Sequence, residues 1–322
     1  MSWSDALREA ANVATYPALG HRLRRRGFRD ADLDVDLRGQ VHVVTGGSAG
    51  IGLAIARGLA ARGATVVIVA RGRERAEEAA RVMTAAGGRV EIELADLACL
   101  ASVRALAARV TARHPRVHAL VDNAGVVLWD RRTSADGHEL TFATNVLGPF
   151  TLTCLFAPAL SRAPNGRVVH VCSAAIYGQR LDVDALLTGG EPYRGAIQYA
   201  RTKRAQAELS ALFAARLAER GVTSAAMHPG LTATPGTAES FPIYHRVFAP
   251  ILRDPEAGAD TAVWLAASPT ARGRSAELWF DRAPHPAHVV PWTRAPRDEA
   301  PRLFAACAAL AGIDEATLEL ER

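Results

Sequence analysis

The stretch that most constrains the fold is Val41 to Gly52, which reads VHVVTGGSAGIG. A short apolar run ends at Thr45-Gly46, a glycine-rich turn follows, and the helical pattern LAIARGLA begins at once. Glycine permits a sharp turn and removes the Cβ that would hold a pyrophosphate away, and the new helix directs free N–H groups at phosphates. A second apolar run, 64–70, completes a βαβ unit of the length that dinucleotide-binding folds use. A tight strand–helix turn without a ligand is the alternative interpretation of this motif taken alone.

The same alternation of strands and helices continues along the chain. Further strands are predicted at 89–97, 117–125, 166–174, 222–230 and 277–281. Further helices are predicted at 73–86, 102–113, 140–156, 199–217 and 254–267. This pattern predicts an α/β, doubly wound Rossmann fold with a parallel sheet of six or seven strands and helices on both faces. We expect an N-terminal helical and basic arm at 1–38, a single nucleotide-binding domain at 39–285, and a C-terminal tail with a short helix at 286–322.

Composition supports a globular protein of the cytoplasm. The chain has 322 residues, of which 49% are hydrophobic and 22% charged, so it can bury a full core. No apolar run approaches the length of a membrane-spanning helix, and the first residues lack the pattern of a secretory signal. The cysteines are dispersed, which favours reduced thiols and argues against a metal site. They are Cys99, Cys154, Cys172 and Cys307.

The chain is basic, with a formal net charge of +5. Nearly all of the positive charge is arginine, and Lys203 is the single lysine. A compact basic cluster, HRLRRRGFR, occupies 21–29 of the arm. It is interpreted as a solvated arginine face that packs against the body of the protein, as a peripheral contact with an anionic membrane, or as a contact in a homo-oligomer. No nucleic-acid recognition motif accompanies it, so nucleic acid is not an expected partner.

The residue after the second strand bears on the choice of coenzyme. An NAD-binding site usually places an acidic side chain there for the ribose 2′-hydroxyl, but this chain has Arg71. Arginine suits a 2′-phosphate, which favours NADP(H) over NAD(H), and Ser48 in the glycine turn can add a hydrogen bond. The alternative is that Arg71 is a solvated loop charge. Asp96-Leu97 and Asn123-Ala124-Gly125 end the next two predicted strands, at the edge where such sheets bind ligands.

Five motifs together resemble the short-chain dehydrogenase/reductase family. They are TGGSAGIG at 45–52, DNAG at 122–125, NVLG at 145–148, a strand that ends in Ser173, and YARTK at 199–203. The Pro-Gly of HPG at 228–230 also fits the family pattern.

Two further features resemble particular branches of that family. Ser173 and Tyr199 are 26 positions apart, a wide spacing that resembles the retinol-dehydrogenase-like branch. The run MHPGLTATPGTAESFP at 227–242 resembles the branch of dehydrogenase/reductase SDR family member twelve. Thr202 stands where the family more often has serine.

Residue chemistry supports the same assignment independently. Tyr199 and Lys203 are four positions apart on a predicted helix, so they lie on one face. A tyrosine has an unperturbed pKa of about 10, which is high for acid–base work near neutrality. A fixed neighbouring cation favours the phenolate and lowers that pKa. We therefore expect Lys203 to lower the pKa of Tyr199.

The resemblance implies hydride transfer between nicotinamide C4 and a carbonyl carbon. In that scheme Tyr199 donates the proton, Ser173 orients the carbonyl oxygen, Lys203 binds the cofactor ribose, and Asn145 holds a water that links Lys203 to solvent. No metal is required. The predicted cofactor-binding residues are Thr45, Gly46, Ser48, Gly50, Ile51, Gly52, Arg71, Asp96, Leu97, Asn123, Ala124, Gly125, Tyr199, Lys203, Pro229, Gly230 and Thr232.

The substrate is expected to meet two segments, 175–195 and 231–253. Their apolar and hydroxyl-bearing side chains favour a lipophilic ketone, aldehyde or alcohol, and the alternative is that these side chains simply pack on the core. The side chains concerned are Ile176, Tyr177, Leu181, Leu186, Tyr193, Leu231, Phe241, Ile243, Tyr244 and Phe248. A different class of function also stays open, that of an NADP(H)-binding regulatory or scaffold protein without efficient turnover.

Overall fold

One sheet of eight strands organises the part of the chain that the structure describes. The structure is a computed structural model, and it describes residues 15–314. The strands are β1 (Val41–Thr45), β2 (Thr65–Ala70), β3 (Arg89–Leu94), β4 (Ala119–Asp122), β5 (Arg167–Val171), β6 (Thr223–Met227), β7 (Leu278–Phe280) and β8 (Ala283–His285). Their order is β3-β2-β1-β4-β5-β6-β7-β8. Strands β1 to β7 are parallel and β8 is antiparallel to β7. The predicted doubly wound fold is confirmed, and β8 extends it.

Helices cover both faces of this sheet. They are α1 (Ala18–Arg25), α2 (Gly50–Ala60), α3 (Arg73–Ala85), α4 (Leu100–Arg113), α5 (Leu140–Ser161), α6 (Val183–Thr188), α7 (Gly195–Leu217), α8 (Pro235–Ser240), α9 (Pro242–Phe248), α10 (Pro255–Ala267) and α11 (Glu299–Ala311). One core contains side chains of α4, α5, α7 and α11, and the other contains side chains of α2, α3 and α10. Helix α11, from the predicted tail, is therefore part of the core.

The sequence of the central strands explains their place. β1, β4 and β5 are buried at every position and consist mainly of apolar residues, with buried polar residues such as His42, Asp122 and His170 among them. That pattern is typical of parallel strands covered on both faces. The chain leaves β1 for helix α2 on one face and leaves β4 for helix α5 on the other. The carboxyl ends of β1 and β4 therefore flank the point where ligands bind in open α/β sheets.

The basic cluster of the arm is only partly solvated. Its arginines Arg22, Arg25 and Arg26 are exposed, whereas His21 is buried. His21 and Arg24 both reach the carboxylate of Asp281, which directly follows β7. These two residues therefore pack the cluster against the body of the protein, as the first interpretation expects, while the exposed arginines face solvent. Membrane contact and oligomer contact through the exposed arginines stay predictions.

Helix α5 is the one described helix that is long and apolar enough to cross a membrane. Its most apolar window is 89% buried inside the protein, which is the pattern of a core helix. The helix widens into a π-helical turn at Ala143–Leu147 before it continues to Ser161. Such turns often occur at functional sites, and this one carries Asn145.

Candidate active site

The glycine-rich turn after β1 is built as the sequence predicts. Gly46 and Gly50 have φ angles of +67° and +52°, which side chains with a Cβ rarely adopt. A Cβ added to Gly52 would lie 2.2 Å from the Gly46 carbonyl oxygen, so the turn closes on the first residues of α2. Ser48 and Ile51 are partly exposed there. The turn therefore leaves backbone N–H groups and the start of a helix facing the cleft, an arrangement suited to phosphates.

Thr45 joins this turn to the end of β4. Its hydroxyl oxygen accepts hydrogen bonds from the backbone N–H groups of Asn123 and Ala124, both at 3.0 Å. The amide of Asn123 in turn donates to the Thr45 carbonyl at 2.9 Å. Two predicted cofactor motifs thus meet at the switch point of the sheet, and their backbones are held in register by side chains.

The residues predicted at the adenosine end lie at the same edge of the sheet. Arg71 directly follows β2 and is exposed, so its guanidinium is free to reach a ligand phosphate. Asp96 follows β3 and is also exposed, and its carboxylate accepts the Ala98 N–H at 2.9 Å. Leu97 is buried, and its carbonyl oxygen lies against Gly148 of α5. Leu97 therefore packs against helix α5 with both its carbonyl oxygen and its Cβ.

Ser173 and Tyr199 meet in the cleft. Ser173 follows β5, and its hydroxyl accepts the Ala175 N–H at 3.2 Å, which starts a short 3-10 helix at Ala174–Gly178. The phenol of Tyr199 projects from the first turns of α7 near this hydroxyl. Burial raises the pKa of Tyr199 above its usual value, and the interaction with the Ser173 hydroxyl opposes that rise.

The expectation that Lys203 lowers the pKa of Tyr199 is therefore not met, because that pKa is raised. The Lys203 ammonium lies 5.7 Å from the centre of the Tyr199 ring and donates to the Val171 carbonyl at 2.9 Å and to Gln206 Oε1 at 2.8 Å. Burial lowers the pKa of Lys203 itself to about 8. The cation is directed at the end of β5 rather than at the phenol, so burial of Tyr199 prevails and its phenol stays protonated near neutrality.

Asn145 is held firmly beside Lys203. It is fully buried, its amide oxygen accepts the Val126 N–H at 2.8 Å, and its amide nitrogen donates to the Val126 carbonyl at 3.0 Å. The same nitrogen donates to the Thr202 hydroxyl at 3.0 Å. Thr202 also donates to the Tyr199 carbonyl at 2.7 Å, so it links Asn145 to α7. The predicted water held by Asn145 stays a prediction.

Gly125 brings the predicted groups into one place. A Cβ added there would lie 3.3 Å from the Asn145 amide oxygen and 3.4 Å from the Lys203 ammonium nitrogen. The backbone of the Asn123–Gly125 segment therefore passes directly over both side chains. A cofactor laid along the ends of β1 and β4 would reach Lys203 across this glycine.

The Pro229–Thr232 segment closes the cleft from the opposite side. Thr232 is buried and donates to the Pro229 carbonyl at 2.9 Å, and Gly230 has a φ angle of +72°. The chain then continues to Thr234 and Pro235. A Cβ added to Gly50 would lie 3.1 Å from Thr234 and 3.7 Å from Pro235, so this loop packs on the glycine-rich turn.

The substrate-side prediction is partly wrong. Ile176, Leu181 and Leu186 are fully buried, because the 175–195 segment folds into a 3-10 helix and α6 instead of remaining irregular. The 231–253 segment carries α8 and α9, and Ile243 there is 80% exposed. Apolar side chains that face outward are therefore found on the second segment rather than the first.

Sequence reasoning missed two buried polar side chains that shape the site. The side-chain oxygen of Gln206 accepts a hydrogen bond from the Lys203 ammonium. Arg204 donates to the Ile176 and Gln179 carbonyls, which fixes the turn after Ser173. Both lie one helical turn or less from the YARTK motif, yet neither belongs to it. Among residues 15–314 no cluster of His, Cys, Asp or Glu has metal-ligand geometry.

A doubly wound sheet with a glycine-rich turn at its switch point, and a Ser–Tyr pair beside a buried lysine, defines a nucleotide-binding α/β oxidoreductase. The model of the short chain dehydrogenase family matches residues 40–243. The chain belongs to the short-chain dehydrogenase family.

The chain is also similar to particular members of this family and to solved structures. Dehydrogenase/reductase SDR family member 12 of Bos taurus is 34% identical over 283 residues, which cover 87% of this chain and 88% of the relative. Retinol dehydrogenase 12 of Mus musculus is 35% identical, covering 72% of this chain and 75% of the relative. The NADP complex of RhlG from Pseudomonas aeruginosa matches with a TM-score of 0.63 and 26% identity, covering 76% of this chain and 94% of that one.

Proposed function

We propose that this protein is an NADP(H)-dependent oxidoreductase that interconverts a lipophilic carbonyl compound and the corresponding alcohol. The observation that carries the proposal is the group formed by Ser173, Tyr199 and buried Lys203, whose ammonium lies 5.7 Å from the centre of the Tyr199 ring and close to the backbone of Gly125. When bound, the nicotinamide cofactor supplies or accepts the hydride. The residues of this chain provide the proton, the orientation of the oxygen and the binding of the cofactor.

The glycine-rich turn fits such a cofactor on steric grounds. Positive φ angles at Gly46 and Gly50 keep the turn free of side chains, and the start of α2 presents N–H groups to a diphosphate. Lys203 has donors beyond the two it uses on Val171 and Gln206, and Gly125 leaves room beside it. A ribose hydroxyl is a suitable acceptor there.

Tyr199 is suited to give a proton to a carbonyl oxygen. Because burial raises its pKa, the phenol is protonated at neutral pH, and the Ser173 hydroxyl interacts with it. The two hydroxyls can therefore contact one substrate oxygen, with Ser173 stabilising the charge that develops on it. Removal of a general acid of this kind costs about 10²–10⁴-fold in rate.

The coenzyme preference and the substrate class rest on separate observations. Exposed Arg71 at the end of β2 supports NADP(H), and a structural relative was solved with NADP. The outward apolar side chains of α9, and a relative named for retinol, support a lipophilic substrate. Cytoplasmic location and peripheral membrane contact through the arm remain part of the proposal.

The test is turnover of a panel of lipophilic ketones and aldehydes, followed as NADPH oxidation at 340 nm. We expect Tyr199→Phe to lower the rate by at least about a hundredfold while NADPH still binds. Tyr193→Phe is the matched control for kcat, because its phenol donates to the Leu128 carbonyl at 3.3 Å and plays no proposed part in proton transfer, so the substrate contact predicted for this side chain should alter KM and leave kcat unchanged. A Tyr199→Phe variant that keeps its rate removes Tyr199 from the acid role. NADPH binding without turnover of any carbonyl or alcohol would favour the regulatory or scaffold protein instead.

A further inference from the structure

A buried carboxylate joins the N-terminal arm to the body of the protein. Asp281 is 5% exposed. Its carboxylate is hydrogen-bonded to Arg253 at 2.6 and 3.0 Å, to His21 at 3.2 Å and to Arg24 at 3.2 Å. His21 and Arg24 lie on α1 of the arm, whereas Arg253 lies two positions before the start of α10. Charged groups buried in this way hold a defined geometry, because removal of one partner leaves the others uncompensated.

Arg253 uses the rest of its guanidinium on the arm backbone. It is 1% exposed, and its Nε donates to the Tyr16 carbonyl at 2.6 Å while a terminal nitrogen donates to the Thr15 carbonyl at 3.2 Å. Tyr16 itself packs edge-on against the rings of His228 and Phe280, with ring centres 4.8 and 4.9 Å apart. The described part of the arm, from Thr15 onwards, is thus fixed at both its backbone and its side chains.

The same two residues hold the loop that follows β6. The Leu231 N–H donates to the Tyr16 carbonyl at 3.3 Å, and the Arg253 N–H donates to the Leu231 carbonyl at 2.7 Å. The Ala233 N–H donates to the Arg253 carbonyl at 2.9 Å. Gly230 lies so close that an added Cβ would be 2.6 Å from Arg253 Nε. The loop is therefore bonded to the arm on one side and to Arg253 on the other.

The far end of this loop reaches the glycine-rich turn. Thr234 and Pro235 are the residues that a Cβ on Gly50 would contact. Thr234 also caps α8, since its hydroxyl accepts the Thr237 N–H at 3.0 Å. A displacement of the loop at Leu231 would consequently change the wall that faces the glycine-rich turn.

We infer that the arm, Arg253 and Asp281 form a clasp that holds the loop 229–235 against the cofactor cleft. Arg253 and Asp281 are then positioning residues, which act on the cofactor through the loop and touch neither cofactor nor substrate. The inference rests on the proposed function for the identity of the ligand, but the state of the loop can be measured without any ligand. A cofactor that needs the ordered loop binds more weakly in proportion to the fraction of molecules that have it.

The experiment compares Asp281→Asn with the wild-type full chain. The first readout is hydrogen–deuterium exchange of the 229–235 amides without cofactor, and the second is the Kd for NADPH from its fluorescence. We expect faster exchange in this loop and a Kd about tenfold higher, as for a loop ordered in roughly one molecule in ten. For any carbonyl that is turned over, KM for NADPH should rise more than kcat falls.

Glu93→Gln is the matched control. Glu93 is also 5% exposed, and it pairs with Arg109 and Arg113 at the β3 edge of the sheet, away from the loop. It should leave exchange in 229–235 unchanged. Arg24→Ala is a milder second variant, whose partly exposed side chain can be removed if Asp281→Asn does not fold, and it should shift loop exchange in the same direction.

The outcomes separate the two proposals. Unchanged loop exchange in a folded Asp281→Asn or Arg24→Ala variant would overturn the clasp. Faster exchange with an unchanged NADPH Kd would overturn its link to the cofactor. If the wild type binds no nicotinamide dinucleotide at all, the proposed function fails, whereas the exchange data still decide whether the clasp exists.

Discussion

Lys203→Met gives the sharpest test of how the site is built, because burial sets the protonation of this lysine. The pKa of Lys203 is lowered to about 8 in the folded chain, against an unfolded value of 10.5. Between these values the unfolded chain holds a proton that the folded chain has lost. Stability from this group therefore rises as pH increases from 8 to 10.5, and it is lowest below pH 8.

The size of the effect follows from the two pKa values. Because the unfolded chain binds the Lys203 proton more tightly than the folded chain, the unfolding free energy of the wild type rises by about 2.5 kcal/mol from pH 7 to pH 10. This contribution disappears in Lys203→Met. Subtracting the unfolding free energy of the variant from that of the wild type at each pH removes the contribution of every other titrating group that the two proteins share. The difference in unfolding free energy should consequently grow by about 2.5 kcal/mol in favour of the wild type from pH 7 to pH 10.

The measurement is urea unfolding at a series of pH values, with the slope of the denaturation curve checked for constancy. Lys203→Arg is the control for side-chain volume, since arginine stays charged over the whole range and should also lack the rise. Parallel stability curves for wild type and Lys203→Met would refute the reasoning, because they would mean that the buried ammonium has an ordinary pKa. Both variants should lose turnover at every pH.

Two further predictions concern the cofactor site. Gly52→Ala should destabilise the fold by about 3 kcal/mol or displace the glycine-rich turn and abolish NADPH binding, because its Cβ would overlap the Gly46 carbonyl. Gly178→Ala, where the added Cβ meets nothing within 4 Å, should change stability by less than about 0.5 kcal/mol when both variants are measured by urea unfolding. Arg71→Ala should raise the Kd for NADPH much more than that for NADH, whereas Arg73→Ala, which removes an exposed pair with Glu77, should affect neither. Equal losses for both coenzymes would remove Arg71 from 2′-phosphate recognition.

Local sequence patterns predicted the elements of the fold well, and their ends less well. The third strand was expected at 89–97 but ends at Leu94: the Ala95 N–H still donates to the Ala70 carbonyl of β2, and the chain then turns towards α4, where the Cys99 N–H donates to the Asp96 carbonyl. The helix expected at 199–217 begins at Gly195, whose close packing on Leu128 allows an earlier start. Strand β8 was not predicted, since three residues that include Pro284 give no alternating pattern.

The sequence likewise predicted only part of the candidate site. The spacing of Tyr199 and Lys203 correctly predicted that both side chains lie on one face of α7, because α7 is a regular helix there. The sequence did not reveal that Lys203 would be drawn to Val171 and Gln206, nor that burial would raise the pKa of Tyr199. Those properties depend on which polar groups from other elements come within reach.

The sequence by itself determined the glycine-rich turn, the βαβ alternation and the order of the motifs, because φ angles, Cβ volume and helical periodicity act between near neighbours. Tertiary structure alone decided the surroundings of the site. Arg253 meets Tyr16 across 237 positions, and His21 meets Asp281 across 260. No local pattern encodes such pairs, since charges and carbonyls become partners only after the sheet has brought β6, β7 and the arm together.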